Sequence, residues 1–272
     1  MIAPLAITQA GDLLWSAWRE GRVIEALPPA CRPASRADGY AIQDRLPARS
    51  AHPVYGWKIA ATSAAGQRHI NVSGPLAGRL LQERVAADGA LVSLAHNRMA
   101  VAEPEFAFRM ARDLPPRAAA YSTDEVMAAV ADLHLALELP DSRYADFTAV
   151  GEAQLIADNA CAHDVVVGAA VAIDWRRLDL AAHAVHATVR GRERSYERDG
   201  IGSAVLGDPR IALAWLANEL RALGIGLGSG QTVITGACVA PLEIVEGDRV
   251  LADFGSLGGV SVALGDAAAA AS

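Results

Sequence analysis

Residues 101–110 read VAEPEFAFRM. Side chains alternate between the two faces of a strand, so Glu103 and Glu105 share one face while Phe106, Phe108 and Met110 take the other. Two like charges side by side on a strand whose other face wants burial are unfavourable unless something positive neutralises them. Pro104 between them points to a sheet edge or a bulge, where side chains are aimed at a site. The same spacing also suits a solvated edge strand carrying two surface glutamates.

Working outward, short apolar segments broken by Gly and Pro run from Val54 to Met110 and predict strands and loops. Before them, Thr8 to Leu27 reads as an amphipathic helix with Leu13, Leu14, Ala17 and Trp18 at helical spacing. Ser35, with Asp38 three residues on, starts a second helix lasting to about Leu46. After the strand, Ser122 and Glu125 match a capping box, and Val126, Ala129, Val130 and Leu133 suggest a helical face. A helix from Glu152 to about Asn159 precedes an expected buried strand, VVVGAAVAI, and His183 to Val189 alternates as another. Gly191 in RGRE is available for a positive φ in a hairpin. Asp208 as N-cap and Pro209 at the first helical position open a helix that ends at Gly224. The last segments, TVITGA, LEIVEGDRVLADF and GGVSVAL, read as strands and turns. The fold class expected from this order is α+β, in one unit: a helical N-terminal region over 1–52, a strand-rich core with covering helices over 53–265, and a frayed tail over 266–272.

Composition narrows the function. The 272 residues carry a net charge of −7, which disfavours a nucleic-acid partner. With 52% hydrophobic and 20% charged residues the chain can bury a substantial core. Its longest apolar run, Val165 to Ile173, is nine residues, about half of the ~18 that predict a membrane span. The opening MIAPLAITQAGDLLW lacks a basic segment ahead of its apolar stretch, so a cytoplasmic protein is expected. Cys31, Cys161 and Cys238 are too far apart for a CxxC pair or a disulfide framework, and read as small apolar fillers.

Two more residues join the chemistry. Glu138 lies inside the apolar LALELP, where a lone acid is costly to bury without a partner. Three glutamates supply hard oxygen ligands suited to Mg²⁺ or Mn²⁺. None of the seven histidines forms HExxH or a His/Cys cluster of ligand spacing, which argues against zinc. Lys58, in VYGWKIAAT, is the only lysine in a chain whose other strong bases are all arginine. Arginine cannot readily release its proton, whereas a lysine beside apolar Trp57 and Ile59 can be tuned for proton transfer; chance survival on the surface is the alternative. The loop LGIGLGSG follows a helix and has Ser229 where the dinucleotide fingerprint needs glycine, so it is a turn. No GxSxG elbow occurs, and a serine triad has no support.

The segments GWKIAATS, EPEFAFRMARDLP, LALELPDSRY, IADNA, VLGDPRIALAWLANEL and VEGDRVLADFGSLGGVSV, in that order between about Ser35 and Leu264, resemble the hydratase/decarboxylase branch of the fumarylacetoacetate hydrolase superfamily. That branch contains 2-oxopent-4-enoate hydratase and 4-oxalocrotonate decarboxylase. The resemblance implies a mixed β-roll core, with Glu103, Glu105 and Glu138 holding Mg²⁺ or Mn²⁺ and Lys58 moving protons. It implies a hydratase of a 2-hydroxypenta-2,4-dienoate type of acid, acting through a metal-stabilised enolate; a decarboxylase or tautomerase of a related 2-oxo acid shares those motifs. It also implies a homo-oligomer or a complex with a related hydratase or decarboxylase, in which a non-catalytic partner role is the alternative to an enzyme. Asn159, Thr235 and Gly236 become candidate substrate contacts by the same similarity. The superfamily's C–C hydrolases carry a DYExEL pattern around these glutamates, which Val101, Ala102 and Pro104 do not match. In SGPLAGRL, Leu76 stands where hydratases of this type carry an aspartate, and the expectation is an apolar pocket wall that slows water addition.

Overall fold

The computed structural model describes residues 2–265; the expected frayed tail, 266–272, lies outside them. Helix α1 spans Pro4–Glu20 and α2 Arg36–Gln43. Pro4 tolerates the first turn because its missing N–H would find no helical partner there, and Gly21, in the left-handed region, closes α1. The helix therefore sits earlier than Thr8 to Leu27. Ser35 caps α2 by accepting from the Asp38 N–H, but the helix ends at Gln43, short of Leu46.

Strands follow: β1 Val54–Ala60, β2 Leu76–Leu81, β3 Val85–Ala87, β4 Leu91–Val92, β5 Val101–Met110 and β6 Val130–Leu139. Between them lie the short helices α3, Ala64–His69, and α4, Thr123–Met127. The second half holds α5 Glu152–Ala157, β7 Asp164–Val167, β8 Ala184–Arg190, β9 Ser195–Ile201 and α6 Pro209–Ala222. It ends with β10 Thr232–Ala237, β11 Leu242–Glu243, β12 Arg249–Asp253 and β13 Gly259–Leu264.

One mixed sheet runs β2-β1-β10-β5-β6-β7-β3, with β11 beside β5, and a second runs β4-β13-β12-β8-β9. Their inner faces share the main core. Phe106 on β5 meets Phe254, just past β12, edge to face with ring centroids 5.1 Å apart. Helix α6 buries Leu213, Leu216 and Leu220 against it, and opens as expected with Asp208 accepting from the Arg210 N–H. Helix α2 docks on α5, where Gly39 allows close approach to the Ala153 carbonyl, and α1 packs against α2. Among the described residues no helix is long and apolar enough to cross a membrane.

Three local expectations fail for tertiary reasons. The Ser122 capping box forms, but α4 lasts five residues before β6 begins at Val130, because Leu133 pairs with Phe108 across the sheet. Only Val165–Val167 of the apolar run is strand, since the chain then leaves the sheet by way of Gly168 and Val171 N–H bonds to Leu135 and Leu133 carbonyls. Gly191 does not adopt a positive φ; it is small because the Asp248 carboxylate occupies the space of a Cβ.

Candidate active site

Glu103 and Glu105 lie on β5, and Glu138 lies on β6 directly opposite Glu103. Strand alternation puts the two β5 carboxylates on one face, as expected, while Phe106, Phe108 and Met110 are fully buried in the core. The strand is not an edge. It runs between β6 on one side and β10 with β11 on the other, and Glu105 is 0% exposed while Glu103 is half-buried, so the pair is not two solvated surface glutamates on an edge. Pro104 instead faces an irregularity in β10, where Ile234 pairs with Ala107 but Ala237 with Glu105. The extra residue lies at Thr235–Gly236, and Gly236 has φ 107°. That bulge aims the Gly236 N–H at Glu105 Oε2, 2.5 Å away.

The three glutamates each offer an oxygen within 4.8 Å of the others. Among the described residues Glu105 Oε1 and both Glu138 oxygens lack hydrogen-bond partners. Leaving buried carboxylate oxygens unpaired is expensive, so such a set calls for a cation. One is provided by the chain. Lys58 Nζ lies 3.0 Å from Glu138 Oε2, an ion pair without hydrogen-bond alignment, and is itself only 3% exposed. Lys58 still leaves two formal negative charges uncompensated if all three acids ionise, which a divalent ion would match. The ionisation states reflect this crowding. Burial, then repulsion from Glu138, lifts Glu103 to about 7 despite Lys58. Burial, Glu138 and Glu103 push Glu105 well above the usual carboxylate range, and burial raises Glu138 against the pull of Lys58. For Lys58, burial opposes the charge, but Glu138 and then Glu103 outweigh it and push it up to about 12.

Lys58 is held by an unusual piece of backbone. It pairs with Ile234 on β10 and with Gly78 on β2, and its ammonium donates to the Ala160 carbonyl at 3.1 Å. Asn159, Ala160 and Cys161 have φ of 58°, 50° and 60°, three consecutive left-handed residues without a glycine. Such a turn costs about 1–2 kcal/mol per residue. It is pinned from two sides. Asn159 Oδ1 accepts from the Arg79 N–H at 2.6 Å while its Nδ2 donates to the Arg79 carbonyl at 2.8 Å. Asp158, buried just before it, accepts from Ser142 and Arg143. Gly78 completes the fit, since a Cβ there would overlap the Asn159 carbonyl and crowd Lys58 Cγ. Of these three residues only Asn159 is of a type that favours the left-handed region, nothing marks Ala160 or Cys161, and the Ala160 carbonyl, a direct partner of Lys58, is invisible to side-chain reasoning.

A cavity of about 790 Å³ opens over Lys58 and Glu103, lined by Ile70, Met99, Val101 and Phe147 among other apolar groups, with exposed His69 and Arg98 also on its walls. The remaining candidates fall differently from expectation. Asn159 spends both polar atoms on Arg79, and the Thr235 hydroxyl donates to the Phe106 carbonyl at 3.0 Å. Gly236 spends its N–H on Glu105. These three support the cluster from behind. Leu76 borders the cavity but is 0% exposed, so it presents no surface to a ligand. Leu76→Asp is therefore expected to destabilise the fold by about 2–4 kcal/mol through an unpaired buried carboxyl. Thermal unfolding checks this; an unchanged Tm would show that the new carboxylate reaches the cavity.

No family model matches the chain. It is 33% identical over 248 residues to 2-hydroxyhexa-2,4-dienoate hydratase of Comamonas testosteroni, covering 89% of this chain and 91% of that protein. It is 32% identical over 258 residues to a 2-keto-4-pentenoate hydratase of Burkholderia vietnamiensis, covering 94% and 96%. The chain belongs to the hydratase/decarboxylase branch of the fumarylacetoacetate hydrolase superfamily. The β-roll expected of that superfamily is also the fold of 4-oxalocrotonate decarboxylase from Pseudomonas putida G7, a structure complexed with magnesium and adipate. That enzyme superposes with a TM-score of 0.85 at 23% identity over 97% of this chain and 99% of its own. Within this branch, the strand pair bearing Glu103, Glu105 and Glu138 is thus set in a shared frame, and the identity to hydratases extends across nearly the whole chain.

Proposed function

We propose that the chain is a divalent-metal-dependent lyase that hydrates a 2-hydroxy-2,4-dienoate, with Glu103, Glu105 and Glu138 as metal ligands and Lys58 as the proton-transfer residue. The observation that carries this reading is the cluster of three carboxylates, Glu105 and Glu138 buried with orphaned oxygens and Glu103 half-buried on the cavity wall, with the chain's only lysine 3.0 Å from Glu138. All-oxygen donors suit Mg²⁺ or Mn²⁺. When bound, such a cation would chelate the acid's carboxylate and neighbouring oxygen, stabilise charge collecting there, and by cancelling the carboxylates' field bring Lys58 toward a range in which it both gives and takes a proton. Hydration needs a proton moved from the 2-hydroxyl to carbon, then water added to the enone so formed. Lys58 does the proton work, steadied by the Ala160 carbonyl. The apolar walls of the cavity reduce the water around the reacting atoms.

Incubating the purified chain with Mg²⁺ and 2-hydroxypenta-2,4-dienoate tests the reading: loss of dienol absorbance with formation of a hydroxy-oxo acid is expected. Release of CO₂ from 4-oxalocrotonate in its place would make the chain a decarboxylase, and turnover only with a second chain present would make it a partner subunit. Sedimentation of the same sample checks the homo-oligomer implied by the resemblance.

The raised carboxyls also predict a pH dependence. Without a cation, the folded cluster holds protons that the unfolded glutamates, with pKa about 4.3, would release. Stability contributed by those protons is lost as pH rises from about 4.3 through about 7, where Glu103 titrates. A cation must displace the same protons, so its affinity should climb between about pH 6 and about pH 8. Thermal-shift titration with Mn²⁺ should accordingly show a larger rise in Tm at the higher pH; an equal or smaller rise would contradict the shared site.

A further inference from the structure

Thr62 lies two residues beyond β1, the strand that carries Lys58. Directly after β1, Ala61 turns into the left-handed region at φ 57°, an unfavourable conformation for alanine. The turn is fastened on the far side by the Leu206 N–H, which donates to the Thr62 carbonyl at 3.0 Å. The side chain is thereby placed in the cavity wall, 6% exposed. Within the described residues its hydroxyl makes no hydrogen bond, in contrast to Thr235, whose hydroxyl is committed to the Phe106 carbonyl. The Thr62 hydroxyl also sits against Gly236, where a Cβ would collide with Thr62 Oγ1, and Gly236 is the residue that holds Glu105. A polar group nine-tenths buried, without a protein partner, beside the carboxylate cluster and facing the cavity, is suited to a ligand.

We infer that Thr62 is a substrate-orienting residue whose hydroxyl donates to the carboxylate of a 2-oxo or 2-hydroxy acid seated at the Glu103–Glu105–Glu138 cluster. The inference rests on the metal-site reading above. It deepens that reading by fixing which end of the acid lies toward β1. A donor beside the cluster holds the head group, while Ile70 and Phe147 on the cavity wall are left to the apolar part of the molecule.

The test compares the full chain with Thr62→Val, which keeps the shape and removes the hydroxyl, and Thr62→Ser, which keeps the hydroxyl. Three measurements are made on each: Mn²⁺ binding by electron paramagnetic resonance, oxalate binding by calorimetry with Mg²⁺ present, and Tm. Thr62→Val should bind oxalate about 10- to 100-fold more weakly, the worth of a hydrogen bond to a charged group, with Mn²⁺ affinity unchanged. Thr62→Ser should stay within about threefold of the parent chain. Because the hydroxyl has no protein partner to lose, Thr62→Val should not lower Tm, a result that a merely structural hydroxyl would reverse. Oxalate binding unaltered in Thr62→Val, or equally weakened in Thr62→Ser, overturns the assignment while leaving the metal site intact. Failure of the parent chain itself to bind Mn²⁺ overturns the metal site, and this inference with it.

Discussion

Replacing Lys58 by Met should cut turnover of 2-hydroxypenta-2,4-dienoate by about 10²- to 10⁴-fold, the usual contribution of a positioned proton-transfer group. The methionine fills the same space without a titratable nitrogen, and the carboxylates that would hold the metal are untouched, so Mn²⁺ binding should persist. Lys58→Arg should be just as inactive. It keeps the positive charge beside Glu138 but cannot release a proton, and its planar head does not suit the single 3.1 Å hydrogen bond to the Ala160 carbonyl. Stopped-flow assays together with Mn²⁺ titration separate the outcomes. Activity in the Arg variant within tenfold of the parent would make Lys58 a charge partner only, and loss of Mn²⁺ binding in the Met variant would make it part of the metal site's architecture.

The second large effect belongs to Glu138. Its carboxylate is 1% exposed, has no hydrogen-bond partner on either oxygen and is crowded by Glu103 and Glu105. Burial already holds it above the usual carboxylate range, so at neutral pH its ionised form is a cost to the cation-free fold. Glu138→Gln removes that cost. We expect the cation-free protein to gain stability, while Mn²⁺ affinity falls by about a hundredfold or more and activity with it. Lys58 keeps Glu103 and Glu105 as neighbours, which limits the damage of losing its partner. Opposite signs for stability and function are the mark of a residue kept for a ligand. A variant that is less stable and still binds Mn²⁺ would place Glu138 in a purely structural ion pair with Lys58.

How much of this was legible in advance depends on the range of each interaction. The pairing of Glu103 with Glu105 could be read from alternation within ten residues, and the apolar partners Phe106, Phe108 and Met110 confirmed which face was buried. Lys58 stood out through composition alone. The N-cap and proline that open α6 act over two residues, and they were read correctly for the same reason. Glu138 was visible as an acid in an apolar run, but its register opposite Glu103 is fixed by cross-strand pairing that no local pattern encodes. Residues 126–133 show the same limit from the other side: their helical spacing holds for Val126 in α4, yet pairing of Leu133 with Phe108 draws Val130 onward into a strand. Least legible were the backbone devices. The left-handed turn at Asn159–Cys161 contains no glycine, and it exists because Asn159 grips Arg79 and because Gly78 leaves room for it. Thr62 faces the cavity owing to a left-handed alanine, a residue type that gives no warning of such a bend. Resemblance to relatives named the glutamates and the lysine, but it also suggested Asn159 and Thr235 as substrate contacts, and their polar atoms are engaged with the backbone.

The most direct test of the account is the anomalous scattering of Mn²⁺ in crystals of the protein grown with oxalate. One strong peak is expected about 2.1 Å from carboxylate oxygens of Glu103, Glu105 and Glu138, with oxalate completing the coordination on the side of the cavity. A peak elsewhere, or no peak while Lys58 remains the cluster's sole counter-charge, would contradict it.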